Sequence, residues 1–108
     1  METQESLIRL GWHTKIDPNT ILFMKADSNY TEVHLNDGNK ILSATNLGSL
    51  AKRLPEGQFI RANRSVLINL DFLTDYQRRG KAITLNNNEV ILVSRRRTKQ
   101  VTRSINTY

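Results

Sequence analysis

The chain has 108 residues and no Cys, which suits one domain with its own core and excludes disulfides, thiol chemistry and Cys-type structural zinc. No apolar run approaches the roughly 20 residues of a membrane span. The polar, acidic start Met1-Glu2-Thr3-Gln4-Glu5 is no signal peptide, so a soluble cytoplasmic protein is expected.

The net charge of +6 lies in one half of the chain. Residues 1–57 carry six Lys/Arg and seven Asp/Glu, whereas residues 58–108 carry ten and three, and eight of those ten are Arg. Arg is favoured where phosphate or a base edge is gripped bidentately. A solvated basic surface is one reading of this balance. The lopsided placement points instead to a polyanionic partner.

Taken in order, residues 1–6 look frayed, and Leu7 to Trp12 reads as a first strand with weak alternation. Trp12 is expected in the core or covering a sheet edge. Asp17-Pro18-Asn19 is a turn, because Pro fixes its φ and Asp and Asn bond locally to the backbone. The apolar run Ile21 to Met24 reads as a buried strand. Tyr30 to Leu35 alternates, with Thr31, Val33 and Leu35 on one face and Tyr30, Glu32 and His34 on the half-exposed other. Asp37-Gly38 then signals a hairpin returning through Lys40 to Ser43.

Thr45 reads as the N-cap of a helix two to three turns long. Its stripe is Leu47, Leu50, Ala51 and Leu54, closed by Pro55 and Gly57. Phe59 to Asn69 is strand-like at both ends with a polar, turn-like middle, Asn63-Arg64-Ser65. Such a mount holds one guanidinium between rigid apolar arms. Leu73 to Gln77 is a further possible strand, followed by the turn Arg78-Arg79-Gly80. Lys81 to Leu85 and Glu89 to Val93 form a hairpin across Asn86-Asn87-Asn88, since Asn tolerates the left-handed conformation. Ser94 reads as the cap of a last helix reaching Asn106. The predicted fold is mostly β, with six to nine short strands in antiparallel sheets, a short mid-chain helix and a short C-terminal helix.

On a helix of about 100° per residue, Arg96, Lys99 and Arg103 fall within about 60° of each other, opposite Thr98, Val101, Ile105 and Tyr108. Arg95, Arg96 and Arg97 would crowd the positive end of the helix dipole, a cost that a bound anion relieves. A solvated basic face, or pairing with Asp71, Asp75 or Glu89, is the other reading of this stripe. No helix-turn-helix is visible. Enzyme chemistry finds no support: His13 and His34 are isolated, and there is no metal-ligand spacing or glycine-rich phosphate loop. Asp71 and Asp75 read as surface charges. No metal or cofactor is expected.

Several motifs stand in a specific order: Ile21-Leu22-Phe23-Met24-Lys25-Ala26, Asn29-Tyr30-Thr31, Asp37-Gly38, Leu47 through Leu54-Pro55, Phe59-Ile60-Arg61 with Arg64-Ser65 and Ile68-Asn69, and Val93-Ser94-Arg95-Arg96. This set resembles the LytTR DNA-binding domain family of bacterial transcription regulators, over about residues 8 to 105 of a single domain spanning 1–108. The resemblance implies elongated antiparallel sheets packed together and sequence-specific binding of double-stranded DNA by loop insertion. Two copies would sit on a direct-repeat site and bend it. The implied base-contacting residues are Asn29 and Tyr30, Asn63 and Arg64, and Arg96. The implied phosphate contacts are Arg61, Arg95, Arg97 and Lys99. Many relatives carry His at the position of Asn63, so that role transfers with a changed side chain. Ser65 and Asn69 match the pattern but read as structural. Most relatives follow a receiver domain under a sensor kinase. The chain is therefore expected to be the effector part of a response regulator or a stand-alone regulator, and the Met1 start leans towards the second.

Two other classes remain open from the sequence. A single-strand or RNA-binding β module would need surface aromatics for stacking, and only seven aromatics are present. A protein-interaction domain would act through its sheet edges.

Overall fold

The computed structural model describes residues 7–108; the frayed N-terminus expected at residues 1–6 lies outside them. Among the described residues ten short strands form three antiparallel sheets, and two of these strands are only two residues long. Strands β1 (Ile8–Arg9) and β2 (Lys15–Ile16) make a small ribbon. The central sheet contains β3 (Ile21–Asp27), β4 (Tyr30–Leu35), β5 (Lys40–Ser43), β6 (Phe59–Arg61) and β7 (Val66–Asn69). Its order is β5-β4-β3-β7-β6. Strands β8 (Leu73–Gln77), β9 (Ala82–Leu85) and β10 (Val90–Leu92) form the third sheet, with β9 in the middle. Helix α1 (Leu47–Ala51) follows β5, and α2 (Thr98–Thr107) closes the described chain.

The inner strands β3 and β7 of the central sheet are covered on both faces. On one side Ile21, Met24, Val33 and Leu67 meet Ile8 and Leu10 of the ribbon and Leu47 and Leu50 of α1. On the other, Phe23, Ile60 and Ile68 meet Ile83, Leu85 and Ile91 of the third sheet and Val101 of α2. That is why Ile21 to Met24 and Val66 to Asn69 are buried without alternation: a strand covered on both faces has no polar side to show. By contrast β4 keeps its period of two, with Thr31 and Val33 fully buried and Tyr30 exposed. His34, on the open face, stacks on Phe23 at 4.2 Å between ring centroids and bonds through Nε2 to Glu32 Oε1 at 3.0 Å. That bond, foremost, holds the Glu32 carboxyl below its ordinary range.

The turns follow their residues. Gly38 takes φ 93° between β4 and β5, and Asn88 takes φ 71° between β9 and β10. Asp17 Oδ1 accepts from the Asn19 amide at 2.9 Å.

Four local expectations are corrected. Asn46, not Thr45, caps α1: its Oδ1 accepts from the Ser49 amide at 2.8 Å. Thr45 is held to the sheet instead, its carbonyl accepting from Thr31 Oγ1 at 2.8 Å. Helix α1 has only five residues, because Pro55 disfavours helical geometry at Leu54 and the chain tightens into turns beforehand. Ser94 opens a 3-10 turn (Arg95–Arg97) rather than capping an α-helix with its side chain. Its carbonyl already accepts from the Arg97 amide at 3.0 Å, which removes the donor a capping hydroxyl would use. Trp12 is 89% exposed: the chain reverses between Leu10 and Thr14, bonded at 2.8 Å, and Leu10 takes the core position.

The cap assignment is testable by thermal or urea unfolding. Asn46→Ala is expected to cost about 1 kcal/mol of stability.

Candidate nucleic-acid interface

Three exposed segments come together at one end of the central sheet. The first is the turn between β3 and β4, where Asp27 pairs with Tyr30 across Ser28 and Asn29. Ser28 takes φ 56°, which puts a tight reversal at the tip. The second is the turn between β6 and β7, residues 62–65. It is bonded to the first by the Ala26 amide donating to the Ser65 carbonyl at 2.8 Å. The third is the 3-10 turn Arg95–Arg97, bonded to the second by the Ser94 amide donating to the Ala62 carbonyl at 2.9 Å.

Asn29 and Tyr30 are exposed on the first segment, and Tyr30 presents 54% of its surface. Arg64 is exposed at the tip of the second. Arg95 and Arg96 are exposed on the third, as is Lys99 on the first turn of α2. Asp27 is the one carboxylate on these three turns. The face is therefore cationic, with amide, hydroxyl and guanidinium groups available for hydrogen bonding.

Asn63 is placed differently from its neighbours. It is half-buried, its Nδ2 donates to the Leu92 carbonyl at 2.7 Å, and its Oδ1 accepts from the Ser65 amide at 2.8 Å. The amide thus ties the turn to β10 and retains one N–H and one lone pair for other use. Arg61 is also half-buried and reaches along the turn, donating from Nη2 to the Arg64 carbonyl at 3.1 Å. Burial, and secondarily the nearby Arg97 charge, pull the Arg61 guanidinium below the ordinary arginine range. Arg97 is half-buried beside the same cleft as Arg61.

Helix α2 holds the third segment against the body through Val101, which is fully buried, and Ile105. Tyr76 and Thr102 share a hydroxyl hydrogen bond of 2.7 Å. Arg103 and Lys99 face outwards, while Tyr108, expected on the packed side, is 58% exposed beyond the last turn.

Lys52 was not singled out by sequence as a contact, yet it lines the cleft that holds Arg61 and Arg97. No local pattern links it to them; only the return of β6 past the end of α1 does. Ser65 and Asn69 take structural places. Asn69 is fully buried, and its Nδ2 donates to the Ile21 carbonyl at 2.8 Å.

Among the described residues no group of acidic or His side chains could hold a metal ion, and no helix is long and apolar enough to cross a membrane. Comparison with known proteins gives a match to the LytTr DNA-binding domain model over residues 13–106. Among solved structures, the chain is similar to the LytTr DNA-binding domain of a Bacillus cereus protein named as a methyl-accepting/DNA response regulator. That likeness has 16% identity and a TM-score of 0.73, covering 99% of this chain and 100% of the other. No curated protein matches. With the family model matched over most of its length, this chain belongs to the LytTr DNA-binding domain family, DNA-binding domains of transcription regulators.

Proposed function

We propose that this single domain binds double-stranded DNA sequence-specifically, inserting its three turns into successive grooves. The β3–β4 turn, with Asn29 and Tyr30, and the 3-10 turn, with Arg96, would enter major grooves. The β6–β7 turn, with Asn63 and Arg64, would meet the minor groove between them. Arg61, Arg95, Arg97 and Lys99 would take phosphates. Two copies on a direct repeat would bend the site, and the domain would act in the cytoplasm as a regulator or as the output of a receiver domain and sensor kinase.

The observation that carries this reading is the hydrogen-bonded gathering of three exposed segments, distant in sequence, at one end of the sheet. Duplex is favoured over single strands because Tyr30 is the one aromatic on these turns, and strand-binding modules stack several bases.

Selecting bound duplexes from a random pool, then titrating the winner at several salt concentrations, tests the proposal. Enrichment of a repeated motif is expected. So is a log–log salt slope of roughly −3 to −4 per copy if four phosphates are neutralised. A pool without enrichment, or single strands competing as well as the selected duplex, would sink it.

A further inference from the structure

Strand β5 is an edge of the central sheet, and among the described residues only β4 pairs with it. In the β4–β5 ladder the Leu35 amide donates to the Asn39 carbonyl at 2.9 Å, and the register runs on through His34–Lys40, Val33–Ile41, Glu32–Leu42 and Thr31–Ser43. Bonded and non-bonded pairs alternate along an antiparallel ladder. Val33–Ile41 and Thr31–Ser43 are therefore bonded pairs like Leu35–Asn39. Lys40 and Leu42 turn their N–H and C=O groups away from β4, and among the described residues nothing bonds to these groups.

Alongside this edge stands the tip of the β1–β2 ribbon, tied to β5 by Ser43 Oγ donating to the Leu10 carbonyl. A groove of about 470 Å³ runs between the ribbon tip and residues 41–45. Trp12 and Leu42, the latter 63% exposed, both line it. A Cβ added at Gly11 would meet nothing within 4 Å, so the tip leaves room for a neighbour. At Thr45 the groove adjoins a hollow where Arg9 and Arg53 join Trp12. Arg53 spends Nη1 on the Arg9 carbonyl at 2.8 Å and keeps the rest of its fork. No carboxylate lines the groove or the hollow. Glu32, opposite Leu42, is bonded to His34, and Asp37, before β5, to the Asn39 amide.

Alternating outward N–H and C=O groups are what an extended peptide binds when it adds to a sheet edge. Charge selects among the occupants. A second copy would bring Lys40, Arg9 and Arg53 against their equivalents, and edge lysines oppose such pairing. A phosphate backbone would meet the outward carbonyls of Lys40 and Leu42, which repel it. We infer that β5 accepts an extended acidic segment of a partner protein as an added strand. Its apolar side chains lie beside Trp12 and Leu42, and its carboxylates meet Arg9 and Arg53 past Thr45. This site is separate from the three turns and does not rest on the DNA reading. Thr45 is bonded to Thr31, next to Tyr30, so flanking DNA is the competing occupant that a test must separate.

Peptides selected from a random library on the immobilised whole chain are expected to alternate apolar residues and to carry Asp or Glu towards one end. The selected peptide should slow hydrogen exchange at the Lys40 and Leu42 amides, the mark of newly paired backbone. Trp12 is the one tryptophan, so its fluorescence should report the same titration. Trp12→Ala should weaken the peptide about tenfold and Arg9→Gln about threefold, while the selected duplex binds both variants as it binds wild type. Methylating the peptide's backbone nitrogens should abolish binding without any change to the protein. A library without enrichment would overturn the inference, as would a selected peptide that leaves the Lys40 and Leu42 amides unprotected or tolerates methylation. Loss of duplex affinity in Trp12→Ala and Arg9→Gln, with no peptide protecting the edge, would overturn it in favour of flanking DNA. Self-association abolished by Trp12→Ala would overturn it in favour of a second copy. A chain that binds the peptide at this edge and no duplex would uphold it and defeat the DNA reading.

Discussion

Asn69→Ala is expected to lower the unfolding free energy by about 2–5 kcal/mol. Asn69 ends β7 with no exposed surface. Its Nδ2 donates to the Ile21 carbonyl at 2.8 Å, joining residues 48 apart in sequence, and its Oδ1 accepts from the Asp71 amide at 2.9 Å. Truncation leaves both backbone groups without these partners, and each such loss costs about 1–3 kcal/mol. The space left by the amide adds a cavity cost. Asn69→Leu refills the volume but not the bonds, so it should stay well below wild type. Asn69→Asp keeps the acceptor, loses the donor and buries a charge, so it should be no better than Ala. Urea unfolding with an unchanged m-value is the measurement. An Asn69→Ala protein within about 1 kcal/mol of wild type would contradict the strut role.

Arg64→Ala and Arg96→Ala should each cost about 1–3 kcal/mol of affinity for the selected duplex, roughly 5- to 150-fold, and relax its sequence preference. Both side chains are exposed on turns anchored by backbone bonds, so truncation removes a contact without opening the core. Their signatures should differ. The minor groove has a degenerate code, so Arg64→Ala should blunt discrimination of A·T-rich, narrow-groove sites. Arg96→Ala should relax one base position. Lys99→Ala, on α2, should weaken all duplexes alike and reduce the salt slope. Competition binding against single-base variants of the selected site separates these outcomes. Unchanged specific binding in both arginine variants would refute the assignment. Asn63→Ala should behave differently again: its amide bonds to the Leu92 carbonyl and the Ser65 amide, so stability should fall along with affinity.

The sheet-like character of the chain is readable from residues that act over a few positions. Alternation in Tyr30 to Leu35 reflects one covered and one open face, and it survives in the structure. Gly38 and Asn88 mark their turns because each takes a positive φ there. The concentration of Arg in residues 58–108 is also a property of sequence alone. The errors lie where local signals compete. Thr45 and Asn46 are both good caps by type, and the choice falls to Asn46 because Thr45 is claimed by Thr31 from a neighbouring strand. Ser94 is a good cap by type as well, but its amide is committed to Ala62, 32 positions away, and its carbonyl to the tighter turn that follows. Trp12 has the composition of a core residue and the position of a hairpin tip.

The mount from Phe59 to Asn69 shows the division most clearly. By itself the sequence determined two apolar arms around a polar turn and a surplus of guanidinium groups near it, because strand period and turn chemistry are set by adjacent residues. Only the tertiary structure decided what stands beside that turn. Placing β7 between β3 and β6 brings the Asn29 turn alongside, the Ser94–Ala62 bond adds the arginine turn, and the end of α1 supplies Lys52. Those neighbours are fixed by hydrogen bonds and burial between segments far apart in the chain, and local periodicity carries no record of them.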